Sequence, residues 1–252
     1  MKVNFLFIIL FLQISFYYSY IYSQEKYDKD ICGKWNALDE KIKTGKIEYD
    51  DAVELLVSYE PQVIKYYNNN NGGVYKRNEW VFPLRNFTSI YYREGGNDFR
   101  LSTYDYFQGS NSKGHPAHDI MILDENKDLL DDSTLKPVDV VSMSGGVVVA
   151  VDTTWKVGSV LRGGMYVKIF DVTNMGLFYY SHLSVVSVKP GDILAPGDKI
   201  GEVGRTGRKT ILKEGKTHLH IQFLISDEGY PMPEDFINDL RSAEMKVVNV
   251  PK

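Results

Sequence analysis

The stretch Thr217-His218-Leu219-His220-Ile221-Gln222-Phe223 decides how the rest of the chain is read. Two histidines one residue apart sit in a run of Leu, Ile and Phe. Taken as a β-strand, the run has a period of two, which sets His218 and His220 on one face and Leu219, Ile221 and Phe223 on the other. The apolar face has a core to enter. The face with two imidazoles has the donors to hold a metal ion and a bound water, provided the chain supplies further ligands.

The chain contains five histidines, His115, His118, His182, His218 and His220. A second cluster reads Gly114-His115-Pro116-Ala117-His118-Asp119-Ile120. His115 and Asp119 would align on a helix, but Pro116 and the surrounding β texture point to a bend entering a strand, which turns imidazole and carboxylate towards one point. Imidazole and carboxylate are borderline ligands suited to Zn²⁺, and three protein ligands leave a fourth position for water, the pattern of a catalytic site. Water on such a zinc has its pKa lowered to roughly 7. Remaining imidazoles beside it accept or donate protons and steady a developing oxyanion.

Beyond residue 72 short apolar runs such as 146–151, 165–169 and 177–180 alternate with Gly, Asp and Asn turns, as in a compact antiparallel β structure. Two Pro-Gly-Asp turns, at Pro190 and Pro196, suit tight hairpins. Before that boundary the texture is helical. Ile31, Trp35, Leu38 and Ile42 recur at helical steps with Gly45 at the C-cap position, and a second helix starts near Asp50 and meets Pro61, where it is interrupted or a further turn begins. Asn68–Gly73 marks the break. The expected fold class is therefore mainly β: a small helical segment over 24–71 and an antiparallel β-sheet domain over 72–252. Pro233-Glu234-Asp235-Phe236-Ile237 reads as the start of a short helix near the end.

Residues 1–23 combine a positive start with the apolar run Phe5–Leu12, the pattern of a secretory signal cut near Ser23; a retained anchor is the alternative. No other segment has the length of a transmembrane helix, so the mature chain is expected to act outside the cytoplasm without stable membrane insertion. A formal net charge of -4 and the lack of a basic stripe argue against nucleic acid as a partner. Cys32 is the single cysteine, which rules out an intrachain disulfide and points to a structural role.

Taken in order, His115-x-x-x-Asp119, Tyr179-Tyr180-Ser181-His182-Leu183-Ser184 and His218-Leu219-His220 resemble the lysostaphin/LytM-type zinc endopeptidases of bacterial cell walls. The hairpin region from Pro190 to Gly207 is similar as well, and the resemblance spans roughly residues 80–240. It implies one Zn²⁺ held by His115, Asp119 and His220, with His182 and His218 as catalytic histidines beside it. It also implies a metallopeptidase fold with a groove over the metal, and hydrolysis of peptide bonds in peptidoglycan stems or cross-links. The family pattern has glycine where this chain has Ala117. His118 stands next to the aspartate and competes with His115 as a ligand. Tyr104 and Tyr106 are candidates for an oxyanion-stabilising tyrosine.

Two functional classes stand: an active zinc endopeptidase, and a non-catalytic wall-binding or amidase-activating protein on the same scaffold. The presence of all five site residues favours the enzyme. A lipoyl- or biotinyl-type carrier, suggested by the Pro-Gly-Asp hairpins, leaves the histidines unexplained. Arg205 and Arg208, on a Gly-rich turn, are read either as contacts for an anionic stem peptide or as parts of a solvated loop.

Overall fold

The computed structural model describes residues 30–87, 89–90 and 98–248; the segment 1–23 read as a signal lies outside the described residues. The chain forms helices α1 (Ile31–Thr44) and α2 (Tyr49–Asn69), then strands β1 (Ser89–Ile90), β2 (His118–Met121), β3 (Asp139–Val141), β4 (Gly146–Asp152) and β5 (Met165–Asp171). Next come β6 (Gly176–Leu183), β7 (Val185–Val186), β8 (Ile193–Leu194), β9 (Lys199–Glu202), β10 (His218–Asp227), β11 (Tyr230–Glu234) and the closing helix α3 (Ile237–Val248). All strand pairs are antiparallel. The main sheet runs β1-β2-β10-β6-β5-β4-β8, with β11 also on β10, and a small sheet β3-β9-β7 accompanies it. The fold is mainly β, as the sequence predicts.

The longest strand, β10, organises the sheet. Its first half pairs with β2, its second half with β11, and β6 runs along its other side. Leu219, Ile221 and Phe223 are fully buried, in one core with Phe178 and Tyr180 of β6, Val167 and Ile169 of β5, and Val140 and Ile200 of the small sheet. Trp80 is wedged edge-on against Phe178 and Phe223 at centroid distances of 5.0 and 5.2 Å, contacts that aromatic quadrupoles favour.

The opposite face of the sheet is divided. At its β4–β5 end α1 and α2 cover Val147, Val149 and Phe170, and Trp35 meets Phe170 at 5.7 Å. Gly45 takes a left-handed φ of 66° and donates to Ile42 O, the C-cap read from the sequence. Burial in this cluster pushes the Cys32 thiol up to about 12, aided by the Asp30 charge, so the thiol stays protonated. The rest of the face is open, and there the sheet floors a groove. No helix among the described residues is long and apolar enough to cross a membrane.

Two local expectations need correction. Helix α2 runs through Pro61, because the proline lies on the exposed side while Val63 and Tyr67 continue the buried stripe beyond it. The helix expected from Pro233 starts only at Ile237, with Asp235 accepting from the Ile237 N–H. Pro233 and Glu234 belong to β11 instead: Glu228 and Gly229, at φ 48° and 86°, close a two-residue hairpin turn that sets Asp227 against Tyr230. Arg77 then clamps Glu234 through two contacts of 2.6 Å.

Helix α2 also carries a buried carboxylate. Glu60, 6% exposed, accepts from the Ser226 hydroxyl of β10. Burial raises its pKa, and the Ser226 bond offsets this only in part. An acid with a raised folded-state pKa contributes stability that is lost as pH rises through that value. Glu60→Gln should therefore raise Tm at pH 7.5 by roughly 2–4 °C, the shift that about 1 kcal/mol makes in a chain of this size, and the gain should disappear near pH 4. Thermal melts at the two pH values check this; equal shifts at both would contradict it.

Candidate metal centre

Antiparallel pairing sets His220 of β10 directly opposite Asp119 of β2, so both side chains leave the sheet on the groove face. Asp119 Oδ1 lies 3.0 Å from His220 Nδ1 and 3.2 Å from His115 Nε2. The three donor atoms lie within 4.8 Å of one another, and among the described residues they are the one group of three with this arrangement. Ligand atoms around a tetrahedral zinc, at bond lengths near 2.0–2.2 Å, sit roughly 3.3 Å apart. The donor set and its two short edges therefore fit Zn²⁺, with one corner left open.

The supports of this triad come partly from a residue the sequence analysis does not single out. His115 Nδ1 donates to the Asp98 carbonyl at 3.0 Å, leaving Nε2 for the site, the usual way an outer partner fixes a ligand tautomer. The fully buried Asp98 carboxylate also accepts from the Asp119 N–H and meets His118 Nδ1 at 3.3 Å. A lone aspartate seventeen residues before His115 carries no spacing signal, so this role is legible only in three dimensions. Burial acts against the Asp119 charge, yet the His115 and His220 imidazoles against it outweigh this and hold the carboxyl well below the usual carboxylate range. It is ionised, as a ligand must be.

His182 reaches the groove by a different route. Along β6, Tyr179 and Ser181 line the groove while Phe178 and Tyr180 enter the core, so strict alternation would send His182 into the core as well. The pairing shifts at this point: Ser181 faces Tyr166 and Leu183 faces Met165, leaving His182 as the extra residue of a β-bulge. Its φ is 66°, a left-handed conformation costing about 1–3 kcal/mol for a non-glycine residue. Its N–H donates to Gly163 O at 3.1 Å and its Nδ1–H to Thr206 O at 2.7 Å, which hold it there. Gly207, at φ 118°, passes close by: a Cβ on it would lie 2.8 Å from His182 Nδ1 and 2.5 Å from Arg162 O.

His218 completes the group. Its Nδ1 donates to Lys216 O at 2.8 Å, and its Nε2 stands 3.7 Å from Asp119 Oδ1. Its ring centroid is 4.9 Å from that of His182. Both rings thus spend Nδ1–H on a backbone carbonyl and keep Nε2 as the acceptor in the neutral form. Burial, followed by the charges of His218 and His220, holds the His182 pKa well below its ordinary value.

The groove has a volume of about 640 Å³. His118 lies on the other face of β2, fully buried, with its ring 5.0 Å from Phe236 and its Nε2 3.2 Å from Asp235. It is not part of the triad. Tyr104 and Tyr106 both line the groove, and the Tyr106 hydroxyl donates to Asp39 of α1 at 3.1 Å. Arg205 is 9% exposed and donates to the carbonyls of Leu212 and Gly215, so it pins its own loop and is not presented to a ligand. Arg208 is exposed. Helix α1 contributes Asp39, Ile42 and Lys43 to the far wall.

No curated protein matches the chain. Among solved structures, the catalytic domain of the antimicrobial peptidase lysostaphin from Staphylococcus simulans aligns at 23% identity, over 57% of this chain and 90% of that one, with a TM-score of 0.38. A putative glycyl-glycine endopeptidase lytM from Ruminococcus gnavus aligns at 18% identity, over 83% and 87% of the two chains, with a TM-score of 0.43. A zinc containing peptidase from Vibrio cholerae aligns at 22% identity over 64% of this chain and 39% of that one, with a TM-score of 0.37. At these scores the likenesses are distant. The model of Peptidase family M23 matches residues 132–231, a stretch that holds His182, His218 and His220, while His115 and Asp119 precede it and join it through the β2–β10 pairing. The match takes in less than half of the chain and agrees with the family that its ordered histidine motifs resemble.

Proposed function

We propose that the protein is an exported zinc endopeptidase that hydrolyses peptide bonds in peptidoglycan stems or cross-links. The observation that carries this reading is the convergence of His115, Asp119 and His220 within 4.8 Å, with two further imidazoles beside them in an open groove. The family match supports a peptidase. The wall substrate rests on the motif resemblance, and export rests on the composition of residues 1–23.

In this reading His115, Asp119 and His220 hold the metal. When bound, zinc supplies a Lewis acid that polarises the scissile carbonyl and acidifies a water. The chain's own residues do the rest. Buried and neutral, His182 takes a proton at Nε2 from the attacking water and returns it to the leaving amine. His218 holds the second Nε2 on the other side of the proton's path and shares its transfer. Asp98 orients His115 and the backbone of Asp119, keeping the ligands in place as the substrate enters.

Digestion of purified peptidoglycan by the mature protein, with and without chelator, tests the function. New peptide ends that vanish on chelation and return with zinc are expected. Zinc bound but no cleavage of any wall type would overturn the peptidoglycan assignment, and no bound zinc would favour a binding protein on this scaffold.

Substitutions separate the roles. Asp119→Ala and His220→Ala should each lose zinc in a metal assay of the purified protein. His182→Ala and His218→Ala should keep it while losing about 10²–10⁴-fold in kcat; loss of zinc from either would contradict the assignment. Gly207→Ala should keep zinc yet lower kcat by roughly 10²-fold, the effect of about an ångström of misplacement, because its methyl displaces the His182 ring. Wild-type turnover in that variant would show that the bulge tolerates the shift.

A further inference from the structure

Around the metal-ligand group the groove carries a distribution of charge that the peptidase reading does not use. The chain as a whole has a formal net charge of -4, yet among the described residues the groove is lined by five cations, Lys43, Arg100, Arg162, Lys168 and Lys209, and by two carboxylates, Asp39 and Asp119. Both carboxylates are taken. Asp119 is held by histidines, and Asp39 accepts from Lys168, Tyr106 and Tyr166. Lys43 is taken as well, by Asp152 at 2.7 Å and by Glu40.

Arg100, Arg162 and Lys209 remain. None of the three makes an ion pair among the described residues, and all three are exposed. Each is fixed beside a site histidine. Arg100 forms a backbone bridge with His115, its N–H donating to His115 O at 2.8 Å. Arg162 precedes Gly163, whose carbonyl holds the His182 N–H, and its Nη1 donates to Ser112 O at 2.6 Å. Lys209 precedes Thr210, whose hydroxyl lies 3.4 Å from His182 Nδ1. The cations therefore ring the site from separate loops.

The floor of the groove adds a polar side chain. Gln222 follows His220 by one strand period, so it projects from the same face about 6.8 Å further along β10. Its side chain is 4% exposed and lines the groove, with the Tyr104 hydroxyl as its neighbour there.

We infer that Arg100, Arg162 and Lys209, with the Gln222 amide on the floor, form a specificity subsite for a peptide that carries a free carboxylate within a residue or two of the bond placed at the metal. The inference rests on the groove being where the peptide binds. Cationic walls around a low-dielectric cleft concentrate an anionic ligand even on a protein of opposite net charge. The Gln222 amide donates to one carboxylate oxygen while the rim cations meet the other.

The test is fluorescence anisotropy of the zinc-loaded, full-length mature protein with two end-capped, dye-labelled probes, Gly-Gly-Glu-Gly-Gly and Gly-Gly-Gln-Gly-Gly. The glutamate probe should bind about five-fold more tightly at low salt, the scale of roughly 1 kcal/mol expected of a few exposed charge pairs. That preference should fall below two-fold in Arg100→Gln/Arg162→Gln/Lys209→Gln, three surface changes, and at 0.5 M salt. Equal binding of the two probes to wild type, or a preference that survives the triple substitution, would overturn the subsite. Because binding is read without turnover, a charge preference with no wall digestion would keep the subsite and sink the peptidase. Digestion without a charge preference would do the reverse.

Discussion

The pairing of β2 with β10 is the constraint on which the site depends. One register sets Asp119 across from His220, and the same register sends Leu219, Ile221 and Phe223 into the core. A slip of one residue would expose three large apolar side chains and bury two histidines together. The hydrophobic effect thus fixes the candidate metal site indirectly. At roughly 1.5–3 kcal/mol for each buried Leu, Ile or Phe, the core holds the register more firmly than any single contact among the ligands. Donor geometry is inherited from strand geometry.

His182 shows the complementary device. Sheet alternation alone would hide it, so the chain inserts an extra residue, accepts a left-handed backbone, and holds the result with two carbonyl contacts. The close passage of Gly207 is part of the same construction, since any side chain there meets the imidazole. Local strain is placed where a side chain must be aimed, and the surrounding loops carry its cost. The helices α1 and α2 act at longer range. They cover the apolar end of the groove face and bring Asp39 to Lys168, which turns the far wall polar without adding net charge.

What was legible in the sequence follows from what has a period. Alternation in residues 217–223 gives β10 and its two faces, and the spacing of Ile31, Trp35, Leu38 and Ile42 gives α1 with its Gly45 cap. His115, Asp119, His182, His218 and His220, placed together by resemblance, do line one groove. Other features have no period to read. Asp98 is a solitary aspartate whose role comes from the fold of a distant loop, and the bulge that re-aims His182 is a register shift between two strands. Arg205 looks available in the sequence because its loop is Gly-rich, but the carbonyls that bury it become visible only when the loop closes. Pro61 and Pro233 misplace element ends because burial of Val63 and the Glu228-Gly229 turn outweigh local propensity.

The account stands or falls on the metal. X-ray absorption at the zinc edge of the purified mature protein reads its ligands directly. Two imidazoles and oxygen donors at about 2.0–2.2 Å in four-coordinate geometry are the result expected, with one imidazole contribution lost in His220→Ala. A six-coordinate, all-oxygen shell, or an unchanged spectrum in that variant, would show that zinc is held somewhere other than by His115, Asp119 and His220.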